Sequence, residues 1–282
     1  MIRKKWNKYP YIVLFIIHFI LLLFTFTKAN NRKSLVVLLF SNMGIAYLFE
    51  YIVLSFLHLY RYKPEFFRKN FLDEISGAIL SQAVYVPFTA LFITAFKLNW
   101  IVKLGFAVYF MLIQKLFIKM GIFKERGWKT RYTLILIYLY FHISDQWLRF
   151  LEKGNSFIQK LTLYNMVQFT CINLLVALEM MHKLTFGRGY YHSLMEQHKM
   201  ETSYASLMSV LKTWVTYIGN IKAKALVVVG KIVVDYILKK SRLIKIKSLI
   251  PITIVDILVI SLAPLYKKWI GDAALYSDST NK

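Results

Sequence analysis

The chain has 282 residues, 57% of them hydrophobic and 17% aromatic, with a mean hydropathy of +0.49; a soluble domain of this size cannot hide so much apolar surface in one core, so lipid must solvate part of it. Its formal net charge is +23, from 37 Lys and Arg against 14 Asp and Glu. These basic residues flank apolar runs instead of forming a domain of their own, which favours anionic lipid headgroups over nucleic acid as the partner.

A membrane helix needs about 20 mostly apolar residues. The opening MIRKKWNKYP is followed by YIVLFIIHFILLLFTF, a run longer than a signal-peptide core and without a small-residue cleavage site, so a retained first span is expected at 9–27. The second span, 35–59, contains Glu50. No Lys or Arg lies within helical reach of it, so its partner must be another helix, water or a proton, and it is a candidate for ion or proton handling. The loop RYKPEFFRKNFLDE reads as an interfacial turn, with Phe67 and Phe71 beside Arg68 and Lys69. The third span, 75–96, carries a stripe of Gln82, Tyr85 and Thr89, and Pro87 is expected to kink it. The fourth, 100–118, is the weakest because Lys103, Gln114 and Lys115 shorten its uncharged middle.

The fifth span, 132–151, ends in YFHISDQWLRF. Tyr138, His142, Asp145 and Arg149 share one helical face, Asp145 is spaced to pair with Arg149, and His142 can bond Asp145 or Gln146. The reading is a polar ladder between helices, with a proton or cation relay through His142 and Asp145 as the sharper alternative. In the sixth span, 161–181, Asn165 and Gln168 share a face with Glu179, which is spaced to pair with Lys183. Polar stripes on the third, fifth and sixth spans predict a common interior. His18 and His142 offer two imidazoles, but nothing else supports haem. The lone Cys171 excludes an intramolecular disulfide. His192, Glu196 and His198 lack the spacing of a metal site. No cofactor and no metal are expected.

Basic residues accumulate before the first span and in the second and fourth loops, which predicts a cytoplasmic amino terminus. From His182 onward the composition changes. In METSYASLMSVLKTWVTYIGN the residues Tyr204, Leu207, Met208, Leu211, Trp214, Val215 and Ile218 recur at helical spacing, which predicts an amphipathic helix on the membrane or on the bundle. The segment KAKALVVVGKIVVDYILKKSRLIKIK carries Lys231 and Asp235 and is expected to lie in the interface on anionic headgroups. Residues 248–266 have nearly the length of a span, but Pro251, Asp256 and Pro264 leave a re-entrant segment and a seventh span both open. No internal repeat is visible, and no GxSxG, HExxH, Walker or glycine-fingerprint motif occurs.

Residues 75–133 have a proline-bearing span, a connection marked by Trp100, a polar position late in the fourth span, and Trp128 after the basic loop. In these features the chain resembles a group of uncharacterised small multi-pass membrane proteins of spore-forming Gram-positive bacteria. The resemblance implies a bacterial plasma membrane. It also implies an acidic residue at the late position, where this chain has Gln114 and Lys115.

The expectation is therefore an all-α polytopic helix bundle over 1–182 with six spans, or seven if 248–266 crosses, followed by a basic amphipathic tail over 183–282. Its expected role is that of a non-enzymatic membrane component whose tail docks on anionic lipid or a protein partner. The alternative is a small transporter or channel-like protein using Glu50, His142 and Asp145, with Gln82, Asn165, Gln168 and Glu179 in a polar interior.

Overall fold

The computed structural model of the chain describes residues 7–68, 70–187 and 193–280. About 80% of the structure is helical, and the described residues form two isolated pairs of short strands and no closed sheet. Six helices are long and apolar enough to cross a membrane: Lys8–Lys28, Arg32–Phe56, Leu72–Ala95, Trp100–Lys119, Ser156–Met180 and Ile250–Ala274. The first four and the sixth of the expected stretches are among them. The fifth forms a helix, Thr130–Glu152, but its polar residues, among them His142, Asp145, Gln146 and Arg149, leave it too weakly apolar for this set; the doubtful segment after Ser248 belongs to it.

The chain divides into two compact units, Met1–Lys153 and Gly154–Lys282, whereas the change of composition lies near residue 182. The N-terminal unit holds α1 (Lys8–Lys28), α2 (Arg32–Glu50), β1 (Tyr60–Tyr62), α3 (Asn70–Ile79), α4 (Val86–Ala95), α5 (Trp100–Lys119), β2 (Phe123–Glu125) and α6 (Thr130–Glu152). Two π-helical stretches, Tyr51–Phe56 and Leu80–Tyr85, extend α2 and join α3 to α4. The C-terminal unit holds α7 (Ser156–Met180), β3 (Leu184–Phe186), α8 (Leu194–Ile218), α9 (Ile221–Lys240), β4 (Ile244–Ile246) and α10 (Ile250–Thr280). After α1, with α3 and α4 counted as one run through their π-helical join, the two units follow the same order, helix, strand, helix, helix, strand, helix, and in each the two strands pair antiparallel. The two units thus share an order of elements that the sequence conceals.

The concealment has a local cause. Each strand follows a helix through a left-handed residue two positions upstream: His58, Gly121, His182 and Arg242. At the last three the same Schellman stop closes the helix. The N–H groups of Ile122, Lys183 and Leu243 bond the carbonyls of Phe117, Leu178 and Leu238, and those of Gly121, His182 and Arg242 bond Ile118, Glu179 and Lys239. A non-glycine residue in this conformation costs roughly 1–2 kcal/mol, so glycine is the usual signal for such a stop, and only Gly121 supplies it. The starts are more regular. Asn31, Asn99, Asn155 and Asn220 each cap the next helix, their side chains accepting from the N–H groups of Ser34, Val102, Ile158 and Lys222, for about 1 kcal/mol each.

Strand alternation gives each pair two faces. Tyr60, Tyr62 and Phe123 are buried with Ile122 and Trp128 in an aromatic core, while Lys124 points outward. In the second unit Leu184, Phe186, Ile244 and Ile246 are buried and Lys245 is exposed. Gly77 makes the first arrangement possible, because a Cβ there would sit 2.5 Å from the Cβ of Tyr62.

Helices α8 and α9 turn polar and charged residues inward. In α8, Glu201, Ser209, Lys212 and Thr216 are buried, while Leu207, Val210, Leu211, Trp214 and Ile218 are exposed. In α9, Lys231 and Asp235 are buried, and Ile221, Leu226, Val229, Val233 and Ile237 are exposed. Both helices pack within the C-terminal unit, α8 on α7 and α10, and α9 on α8 and α10. Their charged residues find partners there, which turns the apolar stripe outward.

Candidate functional site: buried polar clusters and an aromatic cavity

At the strand end of the N-terminal unit, Glu50 closes α2 and is buried. Its Oε2 accepts from Tyr60 Oη at 2.5 Å and from Gln82 Nε2 at 2.8 Å, and its Oε1 has no partner among the described residues. Two of the expected polar residues, Glu50 and Gln82, are therefore brought together. Each lies at a π-helical stretch, a widened turn common at functional positions. Burial, then the charge of Glu50, pushes the hydroxyls of Tyr60 and Tyr62 well above the usual phenol range.

A second cluster joins α2, α4, α5 and α6. Asn42 Nδ2 donates to Ser144 Oγ at 2.9 Å, Ser144 and Thr94 share a hydrogen bond at 3.0 Å, and Thr94 Oγ1 donates to Asp145 Oδ1 at 2.7 Å. Lys103 Nζ forms the ion pair with Asp145. The carboxylate thus pairs with Lys103 instead of Arg149, because Lys103 in the first turn of α5 is itself buried and needs a counter-charge. His142 packs against Tyr138 on its own helix, with ring centroids 4.7 Å apart. His18 bonds the Leu14 carbonyl through Nδ1 at 2.7 Å and stacks near Tyr85 and Phe110.

Gln114, where an acid was expected, recruits one from β2. Its Nε2 donates to Glu125 Oε1 at 2.7 Å, and Thr130 donates to the same oxygen at 3.1 Å. Thr133 donates to Gln114 Oε1 and accepts from Trp128 Nε1 at 2.8 Å. The corresponding position on α9, equally far ahead of its strand, is Asp235.

Asp235 belongs to the densest charged cluster. Lys212 Nζ lies 2.8 Å from Asp256 Oδ1, Lys231 Nζ lies 2.6 Å from Asp235 Oδ2, and Lys231 also pairs with Asp256. Tyr204 Oη donates to Asp235 Oδ1 at 2.5 Å, and Lys212 Nζ reaches Cys171 Sγ at 3.3 Å. Two lysines and two aspartates on α8, α9 and α10 form a neutral group with 4% exposure or less at every side chain. Sequence reasoning placed Lys231 and Asp235 in an interfacial segment and took Asp256 as an argument against crossing. The usable signal was that each apolar segment carried charges balanced by its neighbours.

The other expected polar residues sit elsewhere in this unit. Gln168 donates to Ser206 Oγ at 2.9 Å, and Asn165 is buried on α7. Glu179 is buried and accepts from the Phe186 N–H at 3.4 Å, while Lys183 is exposed. Helix α7 ends at Met180 and the chain reverses at His182, so the expected helical pairing of Glu179 with Lys183 does not form. Glu201 on α8 is buried close enough to Glu179 for their carboxylates to interact. Glu50, Gln82 and Asp145 thus lie in the N-terminal unit, and Asn165, Gln168 and Glu179 in the C-terminal unit. His192 lies outside the described residues, and among the described residues no group of three or more potential ligands could hold a metal ion.

A cavity of about 280 Å³ lies within the N-terminal unit. Its wall includes Phe49, Phe110, Phe117, Trp128 and Ile137, with Tyr60, Tyr62 and Phe123 of the strand pair contributing. Polar groups at its edge are Ser81, Gln82, Tyr109, Gln114 and Thr133.

Comparison with known protein families, curated proteins and solved structures finds no match to this chain.

Proposed function

We propose that the chain is a multi-pass membrane protein in which all nine long helical segments cross the bilayer, three more than length and composition alone select. The observation that carries this reading is the inverted polarity of α8 and α9. In water, burying Lys212, Lys231, Asp235 and Asp256 while exposing Ile221, Leu226, Val229 and Trp214 would cost free energy on both faces. In hydrocarbon both choices are favourable. Helix α9 has 20 residues and α8 has 25, enough at 1.5 Å per residue to cover a core of about 30 Å.

Within each unit the strand end is the more basic one. Arg61, Lys63, Lys119, Lys124, Arg126 and Lys129 gather there in the first unit, and Lys183, Lys239, Lys240, Arg242, Lys245 and Lys247 in the second. The charge rule assigns these ends, and with them the amino terminus, to the cytoplasm. There they hold anionic headgroups at about 1 kcal/mol per basic residue near the surface. The role that follows is that of a non-enzymatic membrane component, and the resemblance of residues 75–133 assigns it to a bacterial cytoplasmic membrane.

Single cysteines at Asn220 and Lys245, introduced without Cys171, test the reading. Asn220→Cys should react with an impermeant maleimide in intact cells, and Lys245→Cys only after permeabilisation. Labelling of both from the same side refutes the crossing of α9.

One observation favours a second reading, ion or proton handling: the free Oε1 of Glu50 beside the π-helical turns. Reconstituted vesicles should then dissipate a proton gradient, and Glu50→Gln should abolish the leak. A leak unchanged by this substitution removes Glu50 from that role.

A further inference from the structure

The wall of the N-terminal cavity is almost entirely aromatic and aliphatic, and no Lys, Arg, Asp or Glu is among its lining residues. Glu50 is kept behind Tyr60 and Gln82, which hold its Oε2. The hydroxyls around the cavity are nearly all committed: Tyr11 donates to the Ile122 carbonyl, Tyr85 to the Tyr11 carbonyl, Tyr140 to the Asn42 carbonyl, and Thr133 to Gln114. Tyr109 is the exception. Its Oη is buried and has no hydrogen-bond partner among the described residues. A buried hydroxyl left in that state costs about 1–3 kcal/mol, but this oxygen has no open surface, so it is no donor for a molecule in the cavity.

Size and access narrow the class. A cavity of 150 Å³ lined by aliphatic and aromatic residues takes up benzene, so about 280 Å³ has room for on the order of a dozen non-hydrogen atoms. Three wall residues on α6, Leu136, Leu139 and Ile143, are also exposed on the outer apolar face, so the cavity opens sideways between apolar side chains. A free carboxylate or phosphate inside would be buried without a counter-charge.

We propose that this cavity is a binding site for a neutral lipid-like molecule, entering past α6 with a chain or ring segment of about a dozen non-hydrogen atoms. The site lies within one unit and does not depend on how many helices of the chain cross the bilayer.

Trp128, in the wall and 8% exposed, provides the readout. In the full-length protein with the other five of its six tryptophans changed to phenylalanine, 11-bromo-1-undecanol should quench Trp128 saturably in detergent. Ala46→Phe, which fills the wall, should abolish the saturable phase. 1-Bromoundecane should quench saturably as well, and 11-bromoundecanoate should bind more weakly than the alcohol. Quenching by the alcohol that rises linearly and equally in Ala46→Phe, or a carboxylate that binds as well as the alcohol, overturns the proposal. If the single-tryptophan protein does not fold, the melting temperature of the wild-type chain should rise with the alcohol and that of Ala46→Phe should not. No rise in the wild type is a refutation.

Discussion

Replacing Lys212 by methionine keeps the length and apolar stem of the side chain and removes one charge from the four-residue cluster of the C-terminal unit. Asp256 loses a partner at 2.8 Å but keeps Lys231, so the group changes from neutral to one excess negative charge with almost no solvent access. At an effective dielectric constant near 20, the lost Coulomb attraction at that distance is about 6 kcal/mol. Part of it is offset because the lysine no longer has to be desolvated, and the net loss for breaking a buried pair is about 3–5 kcal/mol. Asp256→Leu alone leaves two lysines facing one aspartate and should cost about as much. In the double variant the Lys231–Asp235 pair at 2.6 Å stands alone and neutral, and the loss should fall below the sum of the single losses by on the order of 2–3 kcal/mol. Unfolding by sodium dodecyl sulfate in mixed micelles, followed by tryptophan fluorescence, measures all four corners of this cycle. Single losses below about 1 kcal/mol, or single losses that simply add, would mean that water screens the cluster, and the inverted polarity of α8 would need another explanation.

Two further outcomes test the strand pair of the first unit. Gly→Ala inside a helix ordinarily gains about 1 kcal/mol, but Gly77→Ala should lose about 1–3 kcal/mol because its Cβ would meet Tyr62 Cβ at 2.5 Å and Cγ at 2.9 Å; a gain in the same assay refutes close packing of the strand on α3. The folded chain holds the Tyr62 hydroxyl well above the ordinary value of 10.0, so its contribution to stability is full below about pH 10 and is lost as pH rises from there toward the folded value. Wild-type stability should therefore decline more steeply than that of Tyr62→Phe above about pH 10, and parallel curves refute burial of that hydroxyl.

Much of the candidate site could be named from the chain but not assembled. Glu50 in an apolar run announced that it needed a partner, and Gln82 was visible in the polar stripe of the third span, yet Tyr60 lay just past the end of the second span with nothing to mark it as that partner. Asp145 was paired with the nearest arginine on its own helix, since spacing along one helix reveals only local partners. Lys103, the residue that holds it, was read only as a charge that weakens the fourth span. The aromatic cavity left no linear trace, since its wall is collected from α1, α2, α4, α5, α6, the second π-helical stretch and the first pair of strands.

Apolar run length and charge balance were enough to determine that this is a predominantly helical protein with several helices able to cross a bilayer, because the length a helix needs is set by hydrocarbon thickness and can be counted along the chain. What each polar face looks toward was decided by tertiary packing. A charge within an apolar run has the same local pattern whether it rests on a headgroup or pairs with a neighbouring helix, and only the three-dimensional arrangement brings Lys212, Lys231, Asp235 and Asp256 within reach of one another. The repeated strand pairing was likewise decided there, since three of its four left-handed turns use residues other than glycine, held in place by the packing on either side.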